Sequence, residues 1–425
     1  MDLLAVAGRA EALADETIAL AQALVRANTV NPYSGDPTWG NEANGQAILE
    51  PVLRDLGARI ERFDCPPDVY QRAGVLGPKN REFAGRPNLQ AEMVFSESGP
   101  RVVLQAHMDT VGISDMTIEP FSGEVRDGRL YGRGSSDCKG GIAATVAVLR
   151  VLHELRGQLR GSVVFQSVVD EECNGGGAGA IACCLRGLKA DLGIVTDGTG
   201  PFVTRGYSGV LTVEITVPGV SGHAARPDGV SAIEKALVVK EALDAFKRDR
   251  ESTRKHAAVN LGILRAGIHP AVIPGEAFLA LNMSYPIADA RAAEEAGAGF
   301  GGAPIRADFE RRIRERESQD PFLATHPSRI EWVKDLIPFE TPADHPLVTG
   351  LAETHRAVLG EEPSMEVNPA WSDGCYLPAL CGIPTVAYGA GVPGKAHSAD
   401  EYGEVERIIN CSRVLSAYLY RVLAA

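Results

Sequence analysis

Between residues 101 and 197, short apolar runs alternate with helix-like runs, and three of the apolar runs lead straight into an acid or an imidazole. Run 101–105 leads into His107, run 161–169 into Asp170, Glu171 and Glu172, and run 192–196 into Asp197. The Ala-, Val- and Leu-rich stretches 140–155 and 179–185 read as the helices between them. Strands that alternate with helices demand a mostly parallel sheet covered on both faces. In such a sheet ligands gather beyond the carboxyl ends of the strands, where these side chains fall.

The rest of the chain divides around that pattern. With 425 residues, it exceeds what one hydrophobic core usually holds, so two domains are expected. Residues 1–27 read as one amphipathic helix, 45–56 as a second, 59–63 as a strand and 64–86 as a loop. After residue 205 the style changes. LTVEITV alternates as a half-exposed strand does, 231–246 is a long amphipathic helix, and 260–264 and 277–283 are strands. Stretch 289–317 reads as loop plus exposed helix, and 330–337 as a strand. That strand–helix–strand–strand–helix–strand order is typical of a ferredoxin-like α+β module. From 344 the first style returns: helix 346–359, loop 363–375, strand 384–388, loop 389–397 and a helix from 404. The expected architecture is an α/β, doubly wound, mostly parallel main domain (1–205 and 341–425) interrupted by an inserted ferredoxin-like module (206–340).

Composition narrows the function. The formal charge of −13 disfavours nucleic acid or an anionic membrane as partner. No apolar run approaches the ~20 residues that span a bilayer. The start reads as an amphipathic helix, without a basic region and small-residue cleavage site. The eight cysteines show no CxxC pair, so reduced thiols and a cytoplasmic location are expected. Cys138 and Cys173 flank acidic motifs, but no cysteine–histidine partnership supports either as a nucleophile.

The chemistry-bearing residues are His107, Asp109, Asp137, Glu171, Glu172, Asp197 and His397. Zinc-like cations take imidazole and carboxylate ligands, and two metals about 3.5–4 Å apart need a carboxylate between them. In QAHMDTVG, His107 and Asp109 point the same way, because strand side chains have period two. In GRGSSDCKGG, a glycine-framed loop leaves both oxygens of Asp137 open to two cations; the phosphate-loop order Gly-Lys-Ser/Thr is absent. In VVDEECNGGG, three adjacent acids are costly unless cations or protons compensate. Adjacent glutamates diverge, so one can bind metal while its neighbour holds a water. Taken singly, each motif has an ordinary reading: a buried histidine, a helix-capping aspartate, an Asp-Gly turn at Asp197, a surface histidine at His397. Only jointly do they describe a centre. The glycine runs also suggest a dinucleotide-dependent oxidoreductase, but Glu171 and Glu172 would then face the phosphates.

Together these motifs resemble the aminoacylase / glutamate carboxypeptidase / acetylornithine deacetylase / succinyl-diaminopimelate desuccinylase family of co-catalytic zinc hydrolases. HMDTV is similar to its His-x-Asp motif, GRGSSDCKGG to its Gly-rich aspartate motif, DEE to its paired glutamates, GHAARPDGVSAIEKA to the start of its lid, and AHSADEY to its last histidine. The resemblance implies one metal held by His107, Asp137 and Asp197, and another by Asp137, Glu172 and His397. Zinc is the implied metal, with cobalt or manganese as alternatives. It implies Asp109 orienting His107, Glu171 as general base and later acid, and a homodimer in which the lid's His223 reaches the partner's site. The implied activity is hydrolysis of an amide in an N-acyl amino acid, small peptide or related compound; a non-catalytic amide-binding relative is the alternative. The chain departs from the family in the lid. Ala266-Gly267 and Ala271 stand where relatives carry Gly-Gly and an asparagine, and Ser284 stands where a strand arginine grips the substrate carboxylate. Arg205, Arg226 and Arg329 are the candidates to replace that arginine.

Overall fold

A computed structural model describes residues 1–424 except 173, 174, 199, 201, 227 and 254–256. Its large sheet runs in the order Arg59–Asp64, Pro87–Val94, Ser162–Val168, Arg101–His107, Leu192–Val195, Thr385–Ala387, Phe202–Tyr207, Phe339–Glu340, with Ser364–Asn368 also bonded to Phe202–Tyr207. The central pairs, Ser162–Val168 with Arg101–His107, Arg101–His107 with Leu192–Val195, and Leu192–Val195 with Thr385–Ala387, are parallel. The pairs flanking this centre are antiparallel on both sides, except that Ser364–Asn368 joins Phe202–Tyr207 in parallel. The fold is thus mixed α/β, with a parallel centre rather than a uniformly parallel sheet.

Both faces of that centre are covered, as a parallel sheet requires. Val102 and Leu104 join Ile142 and Val146 of helix Gly140–Glu154 and Leu415 of helix Val405–Leu423 in one core. Val103, between them in sequence, belongs to a second core with Ile181 of helix Ala178–Leu185 and Tyr376 of helix Tyr376–Cys381. Gly141 shows how closely helix and sheet approach. A Cβ there would lie 2.0 Å from the Thr196 carbonyl oxygen, so only glycine lets this helix seat beside the strand that delivers Asp197.

Several expectations need correction. The expected first helix is two helices, Leu3–Ala12 and Ala14–Arg26. The 64–86 loop contains the short helix Val69–Ala73, and the 363–375 loop contains strand Ser364–Asn368. Strands Pro87–Val94 and Phe202–Tyr207 were not expected. Stretch 289–317 holds two helices, Ile287–Glu295 and Ala303–Glu317, and the second is no mere exposed helix: it buries Ile305, Phe309 and Ile313.

A separate four-stranded antiparallel sheet runs Val259–Ala266, Glu276–Tyr285, Gly209–Pro218, Arg329–Leu336. Leu211, Val213, Ile215 and Val217 alternate toward one face, where helices Ala232–Thr253 and Ala303–Glu317 cover them through Val239, Phe246 and Phe309. Phe309 packs edge-on to Phe246 and Trp332, with ring centroids 5.1 and 5.3 Å apart. The opposite face of the sheet turns toward the large sheet. No described helix is long and apolar enough to cross a membrane.

Candidate metal centre

Six side chains from five separate segments meet beyond the carboxyl ends of the central strands. His107 closes strand Arg101–His107, and its Nε2 lies 2.9 Å from Asp137 Oδ1 and 3.8 Å from Asp197 Oδ2. His397 Nε2 lies 3.4 Å from Asp137 Oδ2 and 3.0 Å from Glu172 Oε1. The two oxygens of Asp137 therefore face different imidazoles. Two overlapping donor groups result, His107–Asp137–Asp197 and Asp137–Glu172–His397, each with its atoms within 4.8 Å of one another. Glu171 lies in the same cluster, with His107 and Glu172.

The surroundings hold this arrangement in place. Glu401, fully buried, accepts from the Ser136 and Asp137 backbone N–H groups at 3.0 and 3.3 Å, while Arg133 donates to its other oxygen at 2.7 Å. This fixes the Asp137 turn, and sequence reading did not single it out. The carboxylate of Asp109 accepts from the N–H groups of Glu171 and Glu172 at 3.3 and 3.0 Å and from Asn31 at 2.8 Å. His107 Nδ1 instead donates to the Asp109 main-chain carbonyl at 2.9 Å, the carboxylate being 3.9 Å away. Asp109 thus steadies the imidazole through its backbone and the glutamate pair through its side chain. Asp170, whose backbone is left-handed (φ 65°), is fully buried against the Tyr70 hydroxyl at 2.8 Å, with Arg86 3.5 Å away. His397 is also left-handed, at φ 63°. Such backbone costs about 1–3 kcal/mol and persists where surrounding contacts impose it.

The electrostatics are those of a crowded acidic pocket. Burial raises Glu172, helped by Asp137 and opposed by His397, to about 7. Burial, then Asp137, raises Asp197 to about 7 as well. Burial, with Glu172, Asp197 and Asp373 overcoming His107, holds Glu171 well above the usual carboxylate range. Hydrogen bonds that His397 donates to Asp137 and Glu172 raise its imidazole to about 11. Burial opposes ionisation of Asp137, yet the two imidazoles hold it well below the ordinary aspartate value. A cluster that must share protons to lower its own repulsion fits divalent cations, which would take over that compensation. The donor set of two imidazoles and three carboxylates, one facing both ways, suits a pair of zinc-like ions.

Some expected participants lie elsewhere. Cys138 is close to the first donor group, but its thiol donates to the His107 carbonyl at 3.2 Å, and burial pushes it well above the ordinary thiol range. Cys173 falls outside the described residues. His223 is exposed on strand Gly222–His223, paired with Val272–Ile273, and does not line the cavity over the donor cluster. Arg205 pairs with Glu340, Arg329 with Glu331 and Thr216, and none of Arg205, Arg226 and Arg329 lines that cavity. The cavity holds about 690 Å³, and its walls include Glu171, Tyr207, Asn282, Lys334, Asn368 and Trp371.

Residues 103–421 match the family model described as peptidase family M20/M25/M40. The chain belongs to that family. This M20/M25/M40 member is 28% identical to an N-formyl-4-amino-5-aminomethyl-2-methylpyrimidine deformylase of Halalkalibacterium halodurans, over 96% of this chain and 94% of the relative. It is 29% identical to a succinyl-diaminopimelate desuccinylase of Methylobacterium radiotolerans, over 95% and 97% of the two chains. A solved di-peptidase of Saccharomyces cerevisiae superposes with a TM-score of 0.75 at 14% identity, covering 98% of each chain, and supports the fold. A metallohydrolase acting on C–N bonds is the activity class common to such relatives.

Proposed function

We propose that this M20/M25/M40 member is a dimetal amidohydrolase that cleaves an amide of an N-acyl amino acid, small peptide or related compound. In this reading His107, Asp137 and Asp197 hold one divalent cation, and Asp137, Glu172 and His397 the other. Bound there, zinc ions supply Lewis acidity toward the amide carbonyl and lower the pKa of the attacking water. Glu171 accepts the proton of that water as it adds to the carbonyl carbon. It then delivers the proton to the leaving nitrogen as the C–N bond breaks, giving an acid and an amine. Glu171 lies beside His107 and Glu172 in the cavity wall, where one carboxylate can serve both tasks.

Residues 206–340 act as lid and dimerisation module on a body of 1–205 and 341–425, with His223 offered to a second copy. The observation that carries the reading is Asp137, whose two oxygens address the two imidazoles. A binding-only relative has no use for Glu171 in the cavity wall. The test joins metal analysis to a screen of N-acyl amino acids, dipeptides and anilides. Two zinc ions per chain are expected. Glu171→Gln is expected to keep them and lose roughly 10²–10⁴-fold in turnover on any substrate found. Wild-type turnover in that variant would refute the assigned chemistry.

A further inference from the structure

We propose that Cys184 and Cys381 form a reversible oxidation site: a hydroperoxide oxidises the Cys381 thiol, and Cys184 then closes on it to make a disulfide between two packed helices. The inference does not depend on the dimetal reading above.

The two sulfurs meet because of where their helices stop. Helix Ala178–Leu185 packs on helix Tyr376–Cys381 within the core that also holds Val103 and Val169. Cys184, in the last turn of the first helix, is buried, and its Sγ lies 3.6 Å from the Tyr376 main-chain carbonyl. A helical carbonyl points along the axis toward the residue four places on. That direction leads from Tyr376 to the end of its own short helix, where Cys381 is the last residue before the left-handed cap Gly382. The Cys184 thiol is shared between that carbonyl and the Cys381 sulfur. The end of a helix gives way more easily than its middle, so Cys381 can close the remaining gap to bonding distance.

Accessibility assigns the two roles. Among the described residues Cys381 is the one cysteine that is not buried. The hydrogen bond from Cys184, opposed by burial, holds its thiol below the ordinary range, whereas burial pushes those of Cys65, Cys138, Cys183, Cys375 and Cys411 up. Oxidation concentrates on an accessible thiol with added thiolate character that stands beside a resolving thiol. The Cys381 thiolate attacks one peroxide oxygen: the S–O bond forms, the O–O bond breaks, and the other oxygen leaves as an alcohol, or as water from hydrogen peroxide. The Cys184 sulfur then attacks the sulfenic sulfur: the S–S bond forms, the S–O bond breaks, and water leaves with the Cys184 proton. The two thiols together give up two electrons, and the peroxide takes them. A dithiol reductant reverses the change. Residues just before both helices, Gly175 and Trp371, line the cavity over the donor cluster, and the Tyr376 hydroxyl donates to the Gly176 carbonyl at 2.8 Å. The disulfide therefore ties together two helices on which one wall of that cavity rests.

Hydrogen peroxide added to the reduced, folded wild type tests this without a substrate. Two thiols per chain are expected to disappear with a mass loss of about 2 Da, both restored by dithiothreitol. Tryptic mapping is expected to join segment 161–186 to segment 357–395, and fragmentation to place the bond between Cys184 and Cys381 rather than at Cys173, Cys183 or Cys375. Cys184→Ser is expected to stop at a sulfenic acid on Cys381, trapped by dimedone. Cys381→Ser is expected to slow thiol loss by about 10-fold or more. Thiols that survive millimolar peroxide in wild type, a bond between other cysteines, or thiol loss as fast in Cys381→Ser as in wild type overturns the inference. The wild-type map alone decides should a serine variant fold poorly.

Discussion

At the scale of single residues, proton and cation compete for the same atoms. In the metal-free cluster Glu172 and Asp197 titrate near 7 and His397 near 11, all above their ordinary values. Each then holds its proton to a higher pH than an isolated group would, and cation binding must expel it. Zinc affinity is therefore expected to rise steadily from pH ~6 to ~8, with proton release. Calorimetric titration in buffers of different ionisation enthalpy reads that release; a pH-independent affinity would contradict it. Gly141→Ala is expected to cost about 1–3 kcal/mol by overpacking, because its methyl group has nowhere to go but the Thr196 carbonyl. Urea denaturation measures it. At this scale the five residues of the two donor groups were legible as a candidate centre, because strand ends and glycine-framed loops advertise them. Glu401 and Lys334 were not. The first acts on backbone groups 264 and 265 residues away. The second lines the cavity after a register slip in its strand, and a period-two reading assigns such a residue to the wrong face.

Whole elements show where polarity misled the reading. Strand Pro87–Val94 (PNLQAEMV) carries Pro, Asn, Gln and Glu, yet nearly all of it is buried. Glu92 is tolerated there because Arg59 and Arg101 bracket its carboxylate and hold it below the ordinary value against the effect of burial. Such compensation comes from other strands and leaves no trace in the local pattern. The long alternating strand Gly209–Pro218 was legible because one face of it is solid core. Phe309→Ala is expected to lower stability by about 3–5 kcal/mol, since the ring is fully buried between Phe246 and Trp332. Thermal unfolding watched by tryptophan fluorescence checks this. In the 28–41 segment, Asp36 accepts from the backbone of Thr38, Ile113 and Ser114 and from the Ser114 hydroxyl, all between 2.6 and 2.8 Å. These bonds outweigh burial and depress its carboxyl below 3.8, so the folded form binds the proton more weakly than the unfolded. Its stabilising contribution is present above that value and is lost as pH falls through the depressed one. Asp36→Asn is accordingly expected to lower Tm at neutral pH, with the gap closing under acid conditions.

For the whole molecule, the sequence announced two units but not how they associate. If His223 completes a second copy's site, two inactive variants should rescue each other. Mixing Glu171→Gln with His223→Ala chains and letting them re-pair is expected to restore about a quarter of wild-type activity, because half of random dimers are mixed and each holds one intact site. No recovery, with dimers verified by sedimentation, would exclude His223 from a second copy's site. The two stretches of chain that enter and leave the four-stranded sheet run as bonded neighbours: Tyr207 faces Phe339, and Val210 faces Leu336. Neither can bend without the other, so any movement of the smaller unit is expected to carry both stretches together through one paired connection.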